Sequence, residues 1–480
     1  MATERTIPLA EGFAPPSREA WLALVERTLK GKPFESLVSR TSDGLEVQPL
    51  YTGEDCEGRL TPRGRTDPDQ PWDVRSLVAH PDPAEANRQI LEDLQGGASS
   101  VLLRIGEGGC AIASARDMLR ALDSVVLEAA TVALDAGFAG PQAAGWLDAA
   151  AKASPTARLA LHLDPLSAFA EAGASPGPIE AHVAAAAETA APLVHAYPQA
   201  SLFIATGRVA HEAGGSEAQE LGVMAAAAVA YARALAGQGL SPTEAFARIV
   251  FGLSVDDDYF TSIAKLRAGR RIAERLASAC GSGGVPAVIE ARASRRMLTR
   301  LDAWTNLLRL TAAGFAGAAG GADAVVLHPF TEAAGAPTPL ARRQARNTQL
   351  ILMQESHLGR VQDPAAGAWF IESITDELAR EGWAVFQAIE RQGGLVQALT
   401  SGFLAANVDG ARAALHAAAE HRGVLGVTRF PNPDERPLQI DAVAAAASSL
   451  DARLPGEDSR CRPLAPMRVA KPFEDEDVAP

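Results

Sequence analysis

Polar and charged residues follow a series of short apolar runs along this chain. They are Arg104, Asp135, Asp164, Thr206, Ser254, Arg292, His328 and Asp363. If the runs are parallel strands that close into a barrel, their carboxyl ends meet at one mouth, where these side chains would form a ring able to hold a ligand. Polar residues also cap strands and begin helices in any fold. The set therefore predicts a polar mouth, although no single member identifies a ligand.

The runs themselves predict eight strands separated by amphipathic helical segments. The expected strands are Ser100–Ile105, Thr131–Asp135, Arg158–Leu163, Ser201–Thr206, Ile249–Val255, Ala287–Ala291, Ala324–Leu327 and Leu358–Val361. The seventh run is apolar on both faces, as in strands that are buried on both sides of a parallel sheet. A doubly wound open sheet would need a Gly-x-Gly-x-x-Gly turn after its first strand, and residues 106–109 do not match one. We therefore predict an α/β fold, a (β/α)8 TIM barrel.

The ends of the chain differ in composition from this repeating part. We predict an N-terminal helical arm at 1–50, the barrel at 51–395, and a C-terminal helical and extended linker with a proline-rich tail at 396–480. Ser17 is the expected N-cap of the arm helix and Gly31 its end. A further helix is expected at Ala442–Leu450. The arm packs either on its own domain or against another subunit.

Composition excludes several classes of protein. The formal charge of -14 is unfavourable for binding nucleic acid. The four cysteines, Cys56, Cys110, Cys280 and Cys461, form no C-x-x-C pair, so we expect reduced thiols and no metal site. Neither a signal peptide nor a membrane span is evident. We expect a cytoplasmic protein without nucleic-acid or membrane partners.

Several segments, in order, resemble those of one family. They are Trp21–Glu26, Gln48–Thr52, Pro71–Arg75, Ala264–Ala268, Ala345–Leu352 and Arg360–Gly367. The chain is similar in these segments to the methylmalonyl-CoA mutase family. The resemblance implies a barrel that holds an acyl-CoA along its axis, with adenosylcobalamin on a separate flavodoxin-like domain over the mouth. In such enzymes the cofactor supplies the radical chemistry, and the protein positions and shields it.

The residues that the family uses for catalysis are replaced here. Leu77 stands where active subunits carry the tyrosine that follows the Pro-Trp segment. Arg208 and Val209 stand where they carry a tyrosine and a histidine, and residues 106–110 replace their Arg-Gly-Tyr-Asp loop. No Asp-x-His-x-x-Gly cobalamin motif occurs before Pro480, so we expect no cobalamin-binding domain. The resemblance thus implies no catalytic, cofactor-binding or metal-binding residues in this chain.

These losses resemble the family's small (beta) subunit, the non-catalytic partner in heterodimers. The large catalytic subunit would carry adenosylcobalamin and interconvert (R)-methylmalonyl-CoA and succinyl-CoA. The alternatives are the catalytic barrel of an acyl-CoA mutase whose cobalamin domain is a separate chain, and a stand-alone acyl-CoA-binding protein.

Three further side chains carry expectations. Residual CoA phosphate contacts would fall to Arg248 or Arg267, because guanidinium forks suit phosphates. Alternatively, Arg267 and Arg270 line a solvated helix face. His211 is expected to be satisfied by local hydrogen bonds rather than to act as a catalytic base.

Overall fold

The computed structural model describes residues 17–55, 67–443 and 460–476. Contacts divide the chain into two compact units, Met1–Tyr51 and Thr52–Pro480. The C-terminal segment predicted from 396 onward therefore belongs to the same unit as the barrel. Most of the helix expected at Ala442–Leu450, from residue 444, lies outside the described residues.

The first unit contains a capped helix and a small hairpin. Helix α1 (Arg18–Leu29) begins at Ser17, whose hydroxyl accepts a hydrogen bond from the Ala20 amide at 3.2 Å. It ends at Lys30 and Gly31, which both have positive φ, so the expected cap and end are confirmed. A 3₁₀ turn and two short antiparallel strands follow. They are Phe34–Leu37, β1 (Ser39–Arg40) and β2 (Glu46–Val47).

The second unit is a closed barrel of eight parallel strands, which confirms the predicted fold class. The strands are β3 (Asp73–Val78), β4 (Ser100–Arg104), β5 (Thr131–Asp135), β6 (Leu159–Leu163), β7 (Ser201–Thr206), β8 (Ile249–Val255), β9 (Val288–Ala293) and β10 (Ala324–Val326). Strand β10 closes the barrel by pairing with both β3 and β9.

Seven of the eight predicted strands are present, and one was wrong. Leu358–Val361 lies in a turn, where Val361 is 58% exposed, and the barrel closes instead through β3. Strand β3 was missed because its alternate residues Asp73 and Arg75 are charged, so the segment lacks the continuous apolar run of a buried parallel strand. Asp363 consequently does not lie at a strand end.

Helices surround the barrel and continue after its last strand. They are α2 (Pro83–Gln95), α3 (Ala115–Ala121), α4 (Gly140–Ala151), α5 (Pro165–Ala172), α6 (Ile179–Ala190), α7 (Leu193–Ala196), α8 (Arg208–Glu212), α9 (Glu217–Gly237), α10 (Pro242–Phe246), α11 (Tyr259–Ala279), α12 (Asn306–Ala319), α13 (Pro339–Leu350), α14 (Trp369–Arg391), α15 (Leu395–Thr400), α16 (Phe403–Arg422) and α17 (Lys471–Glu476). A π-helical turn, Ile351–Glu355, extends α13.

Helix α9 is the central helix of the outer layer. By length and hydropathy it is the one helix of the described residues that could cross a membrane, but 67% of its apolar window is buried, as in the core helix of a globular domain. Helix α14 packs closely against it, because a Cβ added to Gly382 would lie 2.7 Å from the Leu221 side chain. Helix α9 also packs on β7, and α8 packs on α9.

Residues 460–476 pack on the barrel unit. The Cys461 amide donates to the Gly173 carbonyl, and the Val469 amide donates to the Arg296 carbonyl at 2.8 Å. Leu464 is 2% exposed. Glu474 is fully buried and accepts from the backbone of Arg300. This part of the tail is therefore a structural strap on the barrel.

Candidate functional site

Ion pairs cross the interior of the barrel. Arg292 on β9 donates to Asp135 on β5 at 3.0 Å, although these two strands lie opposite one another in the closed barrel. Glu290, also on β9, accepts from Arg292 at 2.8 Å and from Arg75 on β3 at 2.6 Å. The Glu290 carboxylate also lies 3.9 Å from Nδ1 of His162 on β6. Ionisable side chains from four strands thus meet at the barrel axis.

The acids of this layer are ionised. Burial by itself raises the pKa of Glu290, but Arg292, His162 and Arg75 oppose this and hold the pKa well below its usual value. Burial acts on Asp135 in the same way, and Arg292 and Arg104 lower the pKa of its carboxyl. A charge can remain in such a site only when it is paired and hydrogen-bonded. The layer is therefore a set of matched ion pairs.

An apolar layer adjoins these charges. It consists of Leu77, Leu102, Ala133, Ala160 and Val326, which project from five strands. Leu77, the position at which the resemblance implied the loss of a tyrosine, packs against this cluster. The aliphatic side chains and the ion pairs together occupy the axis along which the family resemblance implied an acyl-CoA.

The other two replaced positions lie in α8 at the mouth. Val209 is 8% exposed and offers no polar atom. The Nε of Arg208 donates to the Thr206 hydroxyl at 2.9 Å, and burial lowers the pKa of this guanidinium to about 10. The mouth thus presents a cation at Arg208, where the resemblance implied that active subunits carry an aromatic hydroxyl.

His211 belongs to a separate buried network behind the mouth. Its Nε2 lies 2.9 Å from the Ser294 hydroxyl, and its Nδ1 lies 3.2 Å from the Glu220 carboxylate. Burial and Arg296 lower the pKa of His211, but Glu220 and other acids outweigh them and raise it. The expected local contacts are present in Glu217 and Glu220, which follow His211 closely in the sequence. The hydrogen bond to Ser294, 83 positions away, was not foreseen.

This network could in principle suit a metal ion, but cations already fill it. Ligand atoms of His211, Glu217 and Asp256 all lie within 4.8 Å of one another. Lys265 contacts Glu217 and donates to Glu220 at 2.6 Å. Arg296 donates to Glu217 at 2.9 Å and to Asp256 at 3.0 Å. Three acids thus face three bases, and the network joins α8, α9 and α11.

Arg248 and Arg267, the expected phosphate contacts, lie apart from the mouth. Arg248 precedes β8, at the opposite end of the barrel, and donates to the Ala200 carbonyl at 3.0 Å. Arg267 donates to Glu372 at 2.7 Å and to Asp363 at 3.1 Å. Because Arg267 and Arg270 are each 2% exposed, the alternative of a solvated helix face was wrong.

Two other residues of the predicted ring have structural partners. Asp164 caps α5 and accepts from the Tyr231 hydroxyl at 2.5 Å, while burial raises the pKa of its carboxyl to about 6. The Ser254 amide donates to Glu220. Sequence reasoning missed Arg75, Glu290 and His162 altogether. Their signal is a charged or polar residue at every second position of an otherwise apolar strand.

Comparisons with known proteins place this geometry in context. The family model described as "Methylmalonyl-CoA mutase" matches residues 98–452. The methylmalonyl-CoA mutase small subunit of Streptomyces virginiae is 38% identical, over 92% of this chain and 74% of that protein. The small subunit of Propionibacterium freudenreichii subsp. shermanii is 31% identical, over 92% and 73%. The methylmalonyl-CoA mutase of Cereibacter sphaeroides is 27% identical, over 88% and 65%. The chain belongs to the methylmalonyl-CoA mutase family.

Proposed function

We propose that this chain is the non-catalytic small subunit of a heteromeric, adenosylcobalamin-dependent methylmalonyl-CoA mutase. Its partner, a large catalytic subunit, carries the cofactor and the reacting groups that interconvert (R)-methylmalonyl-CoA and succinyl-CoA. The two chains form a cytoplasmic heterodimer. Greater identity to proteins named small subunits than to the Cereibacter mutase supports this role.

The filled barrel axis is the observation that carries the proposal. A thioester that enters along the axis would have to displace the Arg292–Asp135 pair and the apolar layer at Leu77. Separating a fully buried ion pair such as Arg75–Glu290 without replacing its partners costs on the order of 3–5 kcal/mol. The Arg292–Asp135 pair costs less, because the Asp135 side chain is 35% exposed and water screens it. Substrate binding would have to supply that free energy before any chemistry began. This argues against the alternative of a catalytic barrel with a separate cobalamin chain.

The residues at the mouth do not fit adenosylcobalamin either. Neither Val209 at the mouth nor Leu77 in the apolar layer beneath it has a side-chain hydrogen-bonding atom to offer a corrin or an adenosyl group. His211 and His328, which follow the carboxyl ends of β7 and β10, are at most 2% exposed and cannot reach a cobalt ion outside the barrel. We therefore assign no catalytic step to this chain and place the cofactor on the partner.

Co-expression with the cognate large subunit tests the proposal. We expect one complex in size-exclusion chromatography and mutase activity only in fractions that contain the large subunit. The isolated chain, supplied with adenosylcobalamin and methylmalonyl-CoA, should form no succinyl-CoA. Separate elution of a large subunit that is stable and fully active alone would contradict the proposal, as would turnover by this chain.

A double variant distinguishes the filled axis from the replaced side chains as the cause of inactivity. The double substitution Leu77→Tyr and Val209→His restores the two family side chains but leaves the ion pairs in the axis. It should remain inactive when mixed with a free cobalamin-domain protein. Activity in this variant would show that the chain is inactive because these two side chains are replaced, and not because its axis is filled.

A further inference from the structure

Three polar residues lie on one face of helix α13. They are Arg342, Arg346 and Gln349, whose spacing of four and then three positions places their side chains one after another along the helix. All three are buried, with exposed fractions of 5%, 8% and 2%. They line one cavity, whose other walls include Asp93 of α2 and Leu77 of β3. A polar face of α13 is therefore turned into the protein and away from solvent.

Ion pairs satisfy only part of these side chains. Arg346 donates from one terminal nitrogen to Asp93, and Arg342 donates from one terminal nitrogen to Glu92 at 3.2 Å. The Nε atoms of both arginines and the Oε1 atom of Gln349 are also buried, but they have no hydrogen-bond partner among the described residues. Two donors and one acceptor thus remain on residues that line the same cavity.

Buried polar atoms of this kind rarely stay without a partner. In native proteins nearly all of them form a hydrogen bond, either to another protein group or to an ordered water molecule. An unpaired buried donor or acceptor loses its hydration and gains nothing in return. Three such atoms on the walls of one cavity therefore call for a partner that they share.

The size of the cavity limits this partner. None of the residues that line the cavity is exposed. The space open to the centre of a water molecule is about 10 Å³, close to what one molecule needs. A buried water typically makes about three hydrogen bonds. Its oxygen can accept from two Nε atoms while one of its hydrogens is donated to an amide oxygen, so the two donors and one acceptor match one water molecule.

The charges around the cavity do not favour an anion. Each arginine of this α13 face already lies against a carboxylate, that of Asp93 or that of Glu92. Arg75, which also lines the cavity, is paired with Glu290. An anion would therefore add a negative charge to a balanced group, and the carbonyl oxygen of the Gln349 side chain would repel it. A neutral ligand fits these charges.

We propose that the cavity between α13, α2 and β3 binds one ordered water molecule through Nε of Arg342, Nε of Arg346 and Oε1 of Gln349. The water completes the hydrogen bonding of the buried face of α13. It holds both guanidinium groups in the orientation that pairs them with Glu92 and Asp93, and so helps to keep α13 packed on α2. This site does not rest on the proposed function and goes beyond it.

A high-resolution crystal structure of the full-length chain tests the site. We expect one isolated density peak at about 2.7–3.2 Å from each of the three atoms. Crystals grown in sodium bromide distinguish water from an anion, because bromide scatters anomalously near its absorption edge and water does not. We expect no anomalous peak in the cavity. Absence of the density peak, or an anomalous peak in its place, would overturn the proposal.

Matched substitutions on α13 measure what the water contributes. Gln349→Met keeps the length of the side chain but removes the amide oxygen, so the water loses its acceptor. The equilibrium constant of unfolding, measured with urea, should rise by at least about fivefold. Gln344→Met is the control, because Gln344 does not line the cavity, and it should change this constant by about twofold or less. Equal stability of the two variants would contradict the proposal.

Discussion

Glu290 is the residue whose replacement should reveal most about the filled barrel. Its side chain is 1% exposed and accepts hydrogen bonds from Arg75 and Arg292. Glu290→Gln keeps the shape but leaves two buried cations short of one carboxylate. Breaking a buried pair in this way costs about 3–5 kcal/mol. Arg75 retains Asp73 at 3.2 Å and Arg292 retains Asp135 at 3.0 Å, so we expect the lower end, about 3 kcal/mol.

Urea unfolding, followed by circular dichroism, measures this change. With a slope of about 3 kcal/mol per molar urea, the midpoint should fall by about 1 M. Glu390→Gln is the matched control, because its partner Arg233 is 65% exposed, and it should cost less than about 1 kcal/mol.

The pH dependence provides a second check on the same reasoning. The folded-state pKa of Glu290 lies well below its ordinary value of 4.5. Its contribution is therefore present above pH 4.5 and is lost as the pH falls through the folded-state pKa. The difference in the free energy of unfolding between the wild type and Glu290→Gln should become smaller below pH 4.5. If Glu290→Gln lowers the free energy of unfolding at neutral pH by less than about 1 kcal/mol, no more than Glu390→Gln does, then the Glu290 carboxylate does not stabilise the buried arginines.

Three further predictions concern other parts of the barrel. Burial lowers the pKa of His162 from 6.5 to about 3, so the unfolded state takes up a proton first as the pH falls below 6.5. The free energy of unfolding of the wild type should therefore fall between pH 7 and pH 5, and about 2 kcal/mol of that fall should be absent in His162→Asn. Asparagine is chosen because it tolerates the positive φ of this position. Urea unfolding at each pH measures the two free energies. Gly207→Ala should lower the unfolding temperature strongly, because the new Cβ would overlap the Glu220 carbonyl oxygen. Gly237→Ala is the control and should not lower it, because its new Cβ would have no neighbouring atom within 4 Å. Glu474→Ala should speed tryptic cleavage within residues 460–476, and unchanged cleavage would mean that this carboxylate does not anchor the strap.

The helices and the apolar strands can be predicted from the sequence because the patterns that indicate them lie within a few neighbouring residues. Strands such as Ile249–Val255, buried at every position, are visible as continuous apolar runs. The arm helix is visible from the capping preference of Ser17 and the end at Gly31. That Leu77 and Val209 replace reacting side chains of the family follows from the resemblance alone and stays a prediction.

The charged interior was not predictable in the same way. Asp73 and Arg75 interrupt the apolar pattern of β3, so no strand was predicted there, and Leu358–Val361 was counted as the eighth strand instead. A charged residue in an apolar strand signals either a solvent-facing position or a buried ion pair. Which of the two holds depends on partners more than 150 residues away, since Arg75 and Glu290 are 215 positions apart and Arg292 and Asp135 are 157 apart.

The sequence by itself thus determined the fold class, seven of the eight barrel strands and the arm helix, and the loss of the family's reacting side chains stays a prediction. Only the tertiary structure decided that Arg292 and Asp135 face each other across a closed barrel and that Arg267 is an ion-paired core residue. The physical reason is that secondary structure follows from the periodicity of neighbouring residues. The energy of a buried charge depends instead on which distant groups the fold brings within hydrogen-bonding distance.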